Sequence, residues 1–185
     1  DSTFTINTVT LNGGLVRNNL NIDVIGENCT TNLNGIYQLK GQQHVDNHTK
    51  VDHLVPNCQS NELYKGIIDE KATAVFNGKV FVRRNAQKIN AFQSNGNVLL
   101  SDDATVNSKP ELEIYADDVK CSHGSTTGQL DEEAVFYLRA RGLSEKSARK
   151  LIVGAFINDV IEKIENEEVV AYVQQKIEER FSTTK

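Results

Sequence analysis

The stretch ATAVFNGKVFV, Ala72–Val82, decides the fold. Its residues alternate at period two, the mark of a strand with one face buried, because successive side chains of a strand point to opposite sides. The same alternation returns in LVRNNLNIDV (Leu15–Val24), TTNLNGIYQL (Thr30–Leu39), QHVDNHTKVDHL (Gln43–Leu54), QKINAFQSNGNVLL (Gln87–Leu100) and ELEIYADDVKC (Glu111–Cys121). Asn-Gly pairs at Asn12, Asn34, Asn77 and Asn95 are read as turns, recurring about every 20 residues, near the spacing of stacked coils. Asparagine tolerates the left-handed conformation, and stacked copies can hydrogen-bond in ladders. Residues 1–130 are therefore expected to form a parallel β-solenoid. A flat β-sandwich competes with it, since Asn-Gly also closes ordinary hairpins.

The composition changes after this region. Of 19 asparagines, 17 lie in the first 107 residues, whereas the segment from Asp131 onward is rich in Glu, Lys, Ala, Ile and Val. Residues 131–185 are expected to be helical. Asp131 can cap a first helix that runs to Arg141 and stops at Gly142. Ser144 can cap a second, with Ala148, Leu151, Ile152, Ala155, Val160, Ile161 and Ile164 on one stripe, and a third runs from Glu167 to Phe181 with Val169, Val170, Val173, Ile177 and Phe181 on one face. Such stripes fit mutual packing, a cap over the open end of the solenoid, or a docking surface, for which Phe156 and Ile157 are the residues to test.

Several function classes fall away. A net charge of -5 with scattered lysine and arginine does not make the basic face that nucleic acid requires. No apolar run approaches the length of a membrane span. Three cysteines at wide spacing fit a reducing compartment better than a disulfide framework, so the expected location is cytoplasmic and the sequons at Asn28 and Asn47 are accidental. The N-terminus starts in mid-pattern without an export signal, as a fragment of a longer protein would.

The chemistry concentrates at Cys121 and His123. In a strand they face one way, about 6.6 Å apart, with Ser122 facing the other. A zinc or iron site needs about four ligands, so this pair is half a site. As a nucleophile and base it lacks a third group to orient His123. A buried cysteine beside a solvated histidine is the plain alternative. His44, His48 and His53 lie in an alternating run in which the first two share a face, and lining or turn-bonding roles suit them better than metal binding. Arg83, Arg84, Lys79 and Lys88 read as solvated surface.

The run PELEIYADDVKCSHGSTTGQLDEEAVFYLRARGL, Pro110–Leu143, resembles the signature of the SufB/SufD family of iron–sulfur cluster assembly scaffolds, on its SufD-like side. HVDNHTKVDH (His44–His53), FNGKVFV (Phe76–Val82) and NVLLSDDA (Asn97–Ala104) resemble it as well, so the likeness covers almost the whole chain, without the family's N-terminal helical domain. The resemblance implies a right-handed parallel β-helix core and a non-enzymatic scaffold subunit. It implies pairing with a SufB-like subunit through the solenoid ends, docking of a SufC-like ATPase on the C-terminal helices, and a homodimer as an option for the isolated chain. It also implies a transient iron–sulfur cluster at the SufB interface, none held tightly by this chain alone, with Cys121 and His123 as metal ligands and Glu132 as an acid near the interface. A polysaccharide-active β-helix enzyme is the alternative, but such grooves carry aromatic platforms and the chain has no tryptophan and is 6% aromatic.

Overall fold

The computed structural model describes residues 1–182, with side chains through Arg180. Nine strands precede three helices: β1 (Thr3–Thr10), β2 (Leu15–Val24), β3 (Thr30–Leu39), β4 (His44–His53), β5 (Gln59–Ile68), β6 (Thr73–Val82), β7 (Ile89–Leu99), β8 (Thr105–Ile114), β9 (Val119–Gln129), α1 (Glu132–Arg139), α2 (Glu145–Ile161) and α3 (Glu167–Ser182). Odd strands form one parallel sheet in the order β1-β3-β5-β7-β9, and even strands a second in the order β2-β4-β6-β8. The chain thus passes between two facing sheets with each strand, and every strand pairs with the one two positions earlier. That topology is a parallel β-solenoid, and the flat sandwich is excluded because no hairpin pairs consecutive strands.

Ladder partners in successive coils are separated by 29 residues at Asn18 and Asn47 and by 31 at Glu62 and Gln93, longer than the Asn-Gly spacing suggested. The reason is that three of the four Asn-Gly pairs are not turns. Asn34-Gly35, Asn77-Gly78 and Asn95-Gly96 lie inside β3, β6 and β7. The corners use other left-handed residues: Asn28, Asn57 and Lys88 (φ 56°, 61° and 57°) precede β3, β5 and β7, and Gly41 and Glu70 turn the chain before β4 and β6. The strand glycines instead make room for rings. Gly35 pairs with Tyr64 and Tyr37 with Gly66, and a Cβ would meet the facing tyrosine at 2.3 Å and 2.1 Å respectively.

The interior between the sheets is built from Leu33, Leu39, Val45, Val51, Phe76, Val80, Val82 and Ile89, all fully buried. Asparagine ladders run along the coils as expected, from Asn61 to Asn32 to Thr5, from Asn34 to Asn7, and from Asn18 to Asn47. One strand escaped the sequence pattern. β5 places Ser60, Glu62, Tyr64 and Gly66 inward, so its buried face is polar or small and carries no apolar alternation. The run Glu111–Cys121 is also two strands, because Tyr115–Asp118 forms the corner that sends the chain from β8 into β9.

The helices do not cap the open end. Asp131 and Ser144 cap α1 and α2 as their side chains predict. The layer then packs on the outer face of the odd-strand sheet, where Ile36 and Ile67 meet Val135, Val153, Ile157, Val160, Ile161, Val173 and Ile177. Burying each such aliphatic side chain contributes roughly 1.5–3 kcal/mol, which explains why β3 and β5 are covered on both faces. Lys65 pins the layer, bonding the Phe156 carbonyl at 2.6 Å and Asp159 at 2.8 Å. Phe181, expected on the α3 face, lies outside the residues whose side chains are described.

Candidate metal-binding edge

β9 is the last strand of the odd sheet and β8 of the even sheet, so both present unpaired backbone at the same end of the solenoid. Nearly all of β9 is exposed. Cys121 pairs with Ala91, and its side chain packs against the interior core with Val119. His123 pairs with Gln93 one coil below and is exposed. The structure therefore sets these two soft donors side by side at the mouth of the solenoid. Burial pushes the Cys121 thiol up, only partly offset by a hydrogen bond with the Ala91 backbone.

Beyond His123 along the strands the lumen is polar. Tyr37 donates its hydroxyl to Asn97 Oδ1 at 2.5 Å, Asn97 Nδ2 reaches Asn95 Oδ1 at 2.8 Å, and Ser108 reaches the same oxygen at 2.8 Å. Ser125, two residues beyond His123, donates to Ser108 at 2.8 Å. Below His123 the column continues through Gln93 to Glu62, whose Oε2 accepts from Gln93 Nε2 at 2.6 Å. Burial pushes the Glu62 carboxyl up, against the hydrogen bond from Gln93. Glu62 escaped the sequence reading because a glutamate in a run without apolar alternation reads as surface, and Gln93 because one glutamine on the inward face of an alternating run does not mark a site.

Glu132 does not join Cys121 and His123. It opens α1 beyond the far end of β9, and the eight steps from Cys121 to Gln129 already span about 26 Å at the rise of an extended strand. Its carboxylate accepts from Arg149 at 2.8 Å and helps fix α1 to α2. Cys29 and Cys58 start β3 and β5 from the same corner, and Cys58 lies two coils below β9, about 10 Å at the spacing of paired strands. Among the described residues no group of three or more His, Cys, Asp or Glu side chains is placed to hold a metal.

Two of the remaining histidines serve structure. His48 pairs with Asp46 at 2.8 Å, whereas His53 is fully buried and bonds Ser60 Oγ at 2.9 Å. Arg83 is not a free surface group: it holds Asp52 in a bidentate pair at 2.8 and 2.6 Å, which keeps that carboxyl below its usual range. Lys79 pairs with Glu113, and Lys88 forms a corner. Phe156 and Ile157 also belong to the packed layer, Phe156 against Gly96 and Ile157 only 3% exposed, so neither can serve as a docking probe. The exposed apolar groups of the helices are Phe136, Tyr137, Leu151, Val169 and Tyr172. Leu151 borders a cavity of about 570 Å³ between α2 and α3. No described helix is long and apolar enough to cross a membrane.

The SUF system FeS cluster assembly SufBD core domain matches residues 1–156. The chain belongs to the SufBD family. It is 37% identical over 181 residues to the iron-sulfur cluster assembly protein SufD of Escherichia coli, covering 98% of this chain and 43% of that protein. It is 44% identical over 156 residues to a SufBD family protein of Synechocystis, covering 84% and 34%. It is 39% identical over 172 residues to the chloroplastic protein ABCI7 of Arabidopsis thaliana, covering 91% and 36%. The chain therefore spans less than half the length of these SufBD relatives, and the match takes in the solenoid, α1 and most of α2.

Proposed function

We propose that this chain is the SufD-like scaffold half of an iron–sulfur cluster assembly site, without catalytic activity of its own. The observation that carries the reading is the open strand β9, which holds Cys121 and His123 at an unpaired edge of the solenoid. Exposed strand edges pair with strands of another chain. A SufB-like subunit added edge to edge supplies the missing donors, and the nascent cluster is the cargo formed between the two chains. A SufC-like ATPase docks on the outer face of the helices, where Leu151, Tyr172 and Phe136 stand exposed. A second copy of this chain on the same edge gives the homodimer. Glu132, committed to Arg149 and distant along β9, stays with the helical layer rather than with the ligand set.

Anaerobic reconstitution with ferrous iron and sulfide tests this. The isolated chain should retain no stable cluster, and its mixture with a SufB-like subunit should develop the visible absorption and labile sulfide of one. Cys121→Ser and His123→Ala should each lower cluster yield in the mixture by tenfold or more, with subunit pairing intact. A cluster on the isolated chain that survives both substitutions would remove the proposal.

The groove on the outer face of the odd sheet, about 750 Å³ and lined in part by Asn32, Asn61, Phe92, Glu162 and Glu165, is where a polysaccharide would lie. It offers a single aromatic platform, and the scaffold reading is preferred.

A further inference from the structure

Glu62, Gln93 and His123 occupy one inward column on β5, β7 and β9, each Cα paired with the next across the sheet. Glu62 and Gln93 are 4% and 3% exposed. A buried carboxylate and a buried primary amide are costly unless every polar atom is used, so the details of their bonding carry information. The Gln93 amide is oriented by its partner: Nε2 donates to Glu62 Oε2 at 2.6 Å, which turns the carbonyl Oε1 the other way. That Oε1 is buried and has no hydrogen-bond partner. The same holds for Glu62 Oε1 and the Thr49 hydroxyl deeper in the lumen, but of the three it belongs to the residue paired with β9. The backbone has been cleared for this amide, since a Cβ on Gly78 of β6 would stand 2.3 Å from Gln93 Nε2. The next member of the column is His123.

We propose that Gln93, held by Glu62, is the positioning residue for His123: its Oε1 accepts the hydrogen of one ring nitrogen and leaves the other nitrogen bare toward the open edge. This rests on the reading of His123 as a ligand. A histidine that binds metal through one nitrogen needs an acceptor for the other, which sets the tautomer, the ring angle and the basicity of the donor atom. A buried acceptor without a partner, one ladder step from an imidazole, supplies that need. It also gives the interior glutamate a use, since its Oε2 accepts from Nε2 and so orients the amide.

Two measurements on the full chain separate this from a structural role and from the ligand reading. The first uses no metal: long-range ¹H–¹⁵N spectra of histidine-labelled protein at pH 8 report the His123 tautomer. The parent should show one tautomer, and Glu62→Leu/Gln93→Leu should show the mixture of a solvated ring. That double substitution removes both polar partners at once and avoids stranding a buried carboxylate, so the fold is retained. The exchanged pair Glu62→Gln/Gln93→Glu keeps a donor and an outward-facing acceptor and should restore the single tautomer. The second measurement titrates Co²⁺ and follows its visible absorption. Affinity should fall about 10- to 100-fold in the Leu pair and recover in the exchanged pair. A tautomer unchanged between parent and the Leu pair overturns the proposal, as does cobalt affinity that falls with His123→Ala and not with the Leu pair. Cobalt binding unaffected by His123→Ala, with the tautomer still set by Gln93, instead sinks the ligand reading and leaves the positioning in place.

Discussion

At the scale of single residues, the interior of this solenoid contains many polar groups, among them Asn47, His53, Ser60, Glu62, Gln93 and Asn95. His53 illustrates the consequence. Burial lowers its pKa from 6.5 to about 4, with Asp52 pulling weakly the other way. The native ring is therefore neutral at pH values where the unfolded chain would protonate it. Between about 6.5 and 4 the unfolded state binds more protons, so the contribution of neutral His53 is complete above 6.5 and is lost progressively as pH falls. Urea denaturation of the parent should lose about 2 kcal/mol between pH 7.5 and pH 5 from this group alone. His53→Gln, which can still bond Ser60, should show a correspondingly shallower pH dependence in the same window. An unchanged slope would assign the acid lability elsewhere.

At the scale of elements, the coils are locked together by reciprocal side-chain fits rather than by apolar layers alone. Tyr64 lies over Gly35 and Tyr37 over Gly66, so two rings share the space that four ordinary side chains would need. In Gly66→Ala the new methyl would meet Tyr37 at 2.1 Å and Asn97 Oδ1 at 2.6 Å, neither of which has free volume to retreat into. The expected cost is about 1–3 kcal/mol, read as a lower midpoint in thermal unfolding. Gly128→Ala on the open strand meets nothing within 4 Å and should leave the midpoint close to the parent. Equal midpoints for the two variants would contradict the packing described for Gly66. The same contrast defines β9 as an element: its inner neighbours are tightly fitted, while its own far edge is unpaired backbone.

At the scale of the whole molecule, the helical layer is a second core on the outside of one sheet, and its two faces have different work. The inner face, through Ile157, Val153 and Val160, holds the layer on Ile36 and Ile67. The outer face leaves Leu151 and Tyr172 53% and 60% exposed. Leu151→Glu and Tyr172→Glu should weaken binding of a SufC-like ATPase at least tenfold in a pull-down or calorimetric titration while circular dichroism and the thermal midpoint stay near the parent. Ile157→Glu should lower the midpoint itself, because an unpaired carboxylate would enter a packed apolar interface. If the two exposed variants bind like the parent, the exposed helix face is not a docking surface for such an ATPase.

Alternation in Ala72–Val82 and its companions, the capping Asp131 and Ser144, and the Cys121–His123 pair were all legible from residue order, because period, cap and i, i+2 placement are local properties. Strand β5 and the in-strand role of three Asn-Gly pairs were not. A polar inward face such as Ser60, Glu62, Tyr64 and Gly66 is stable only because the coils above and below supply Gln93, Tyr37 and Asn95 as partners, some 30 residues away in the chain. Local order likewise set the helix positions of α1–α3 but not the surface they cover. Sequence by itself thus determined the repeating strand and the placement of Cys121 and His123 on one side of it. Which edge stays open, which side chains meet in the lumen, and which helix face remains exposed were decided by the stacking of coils, since those contacts join residues that no local pattern connects.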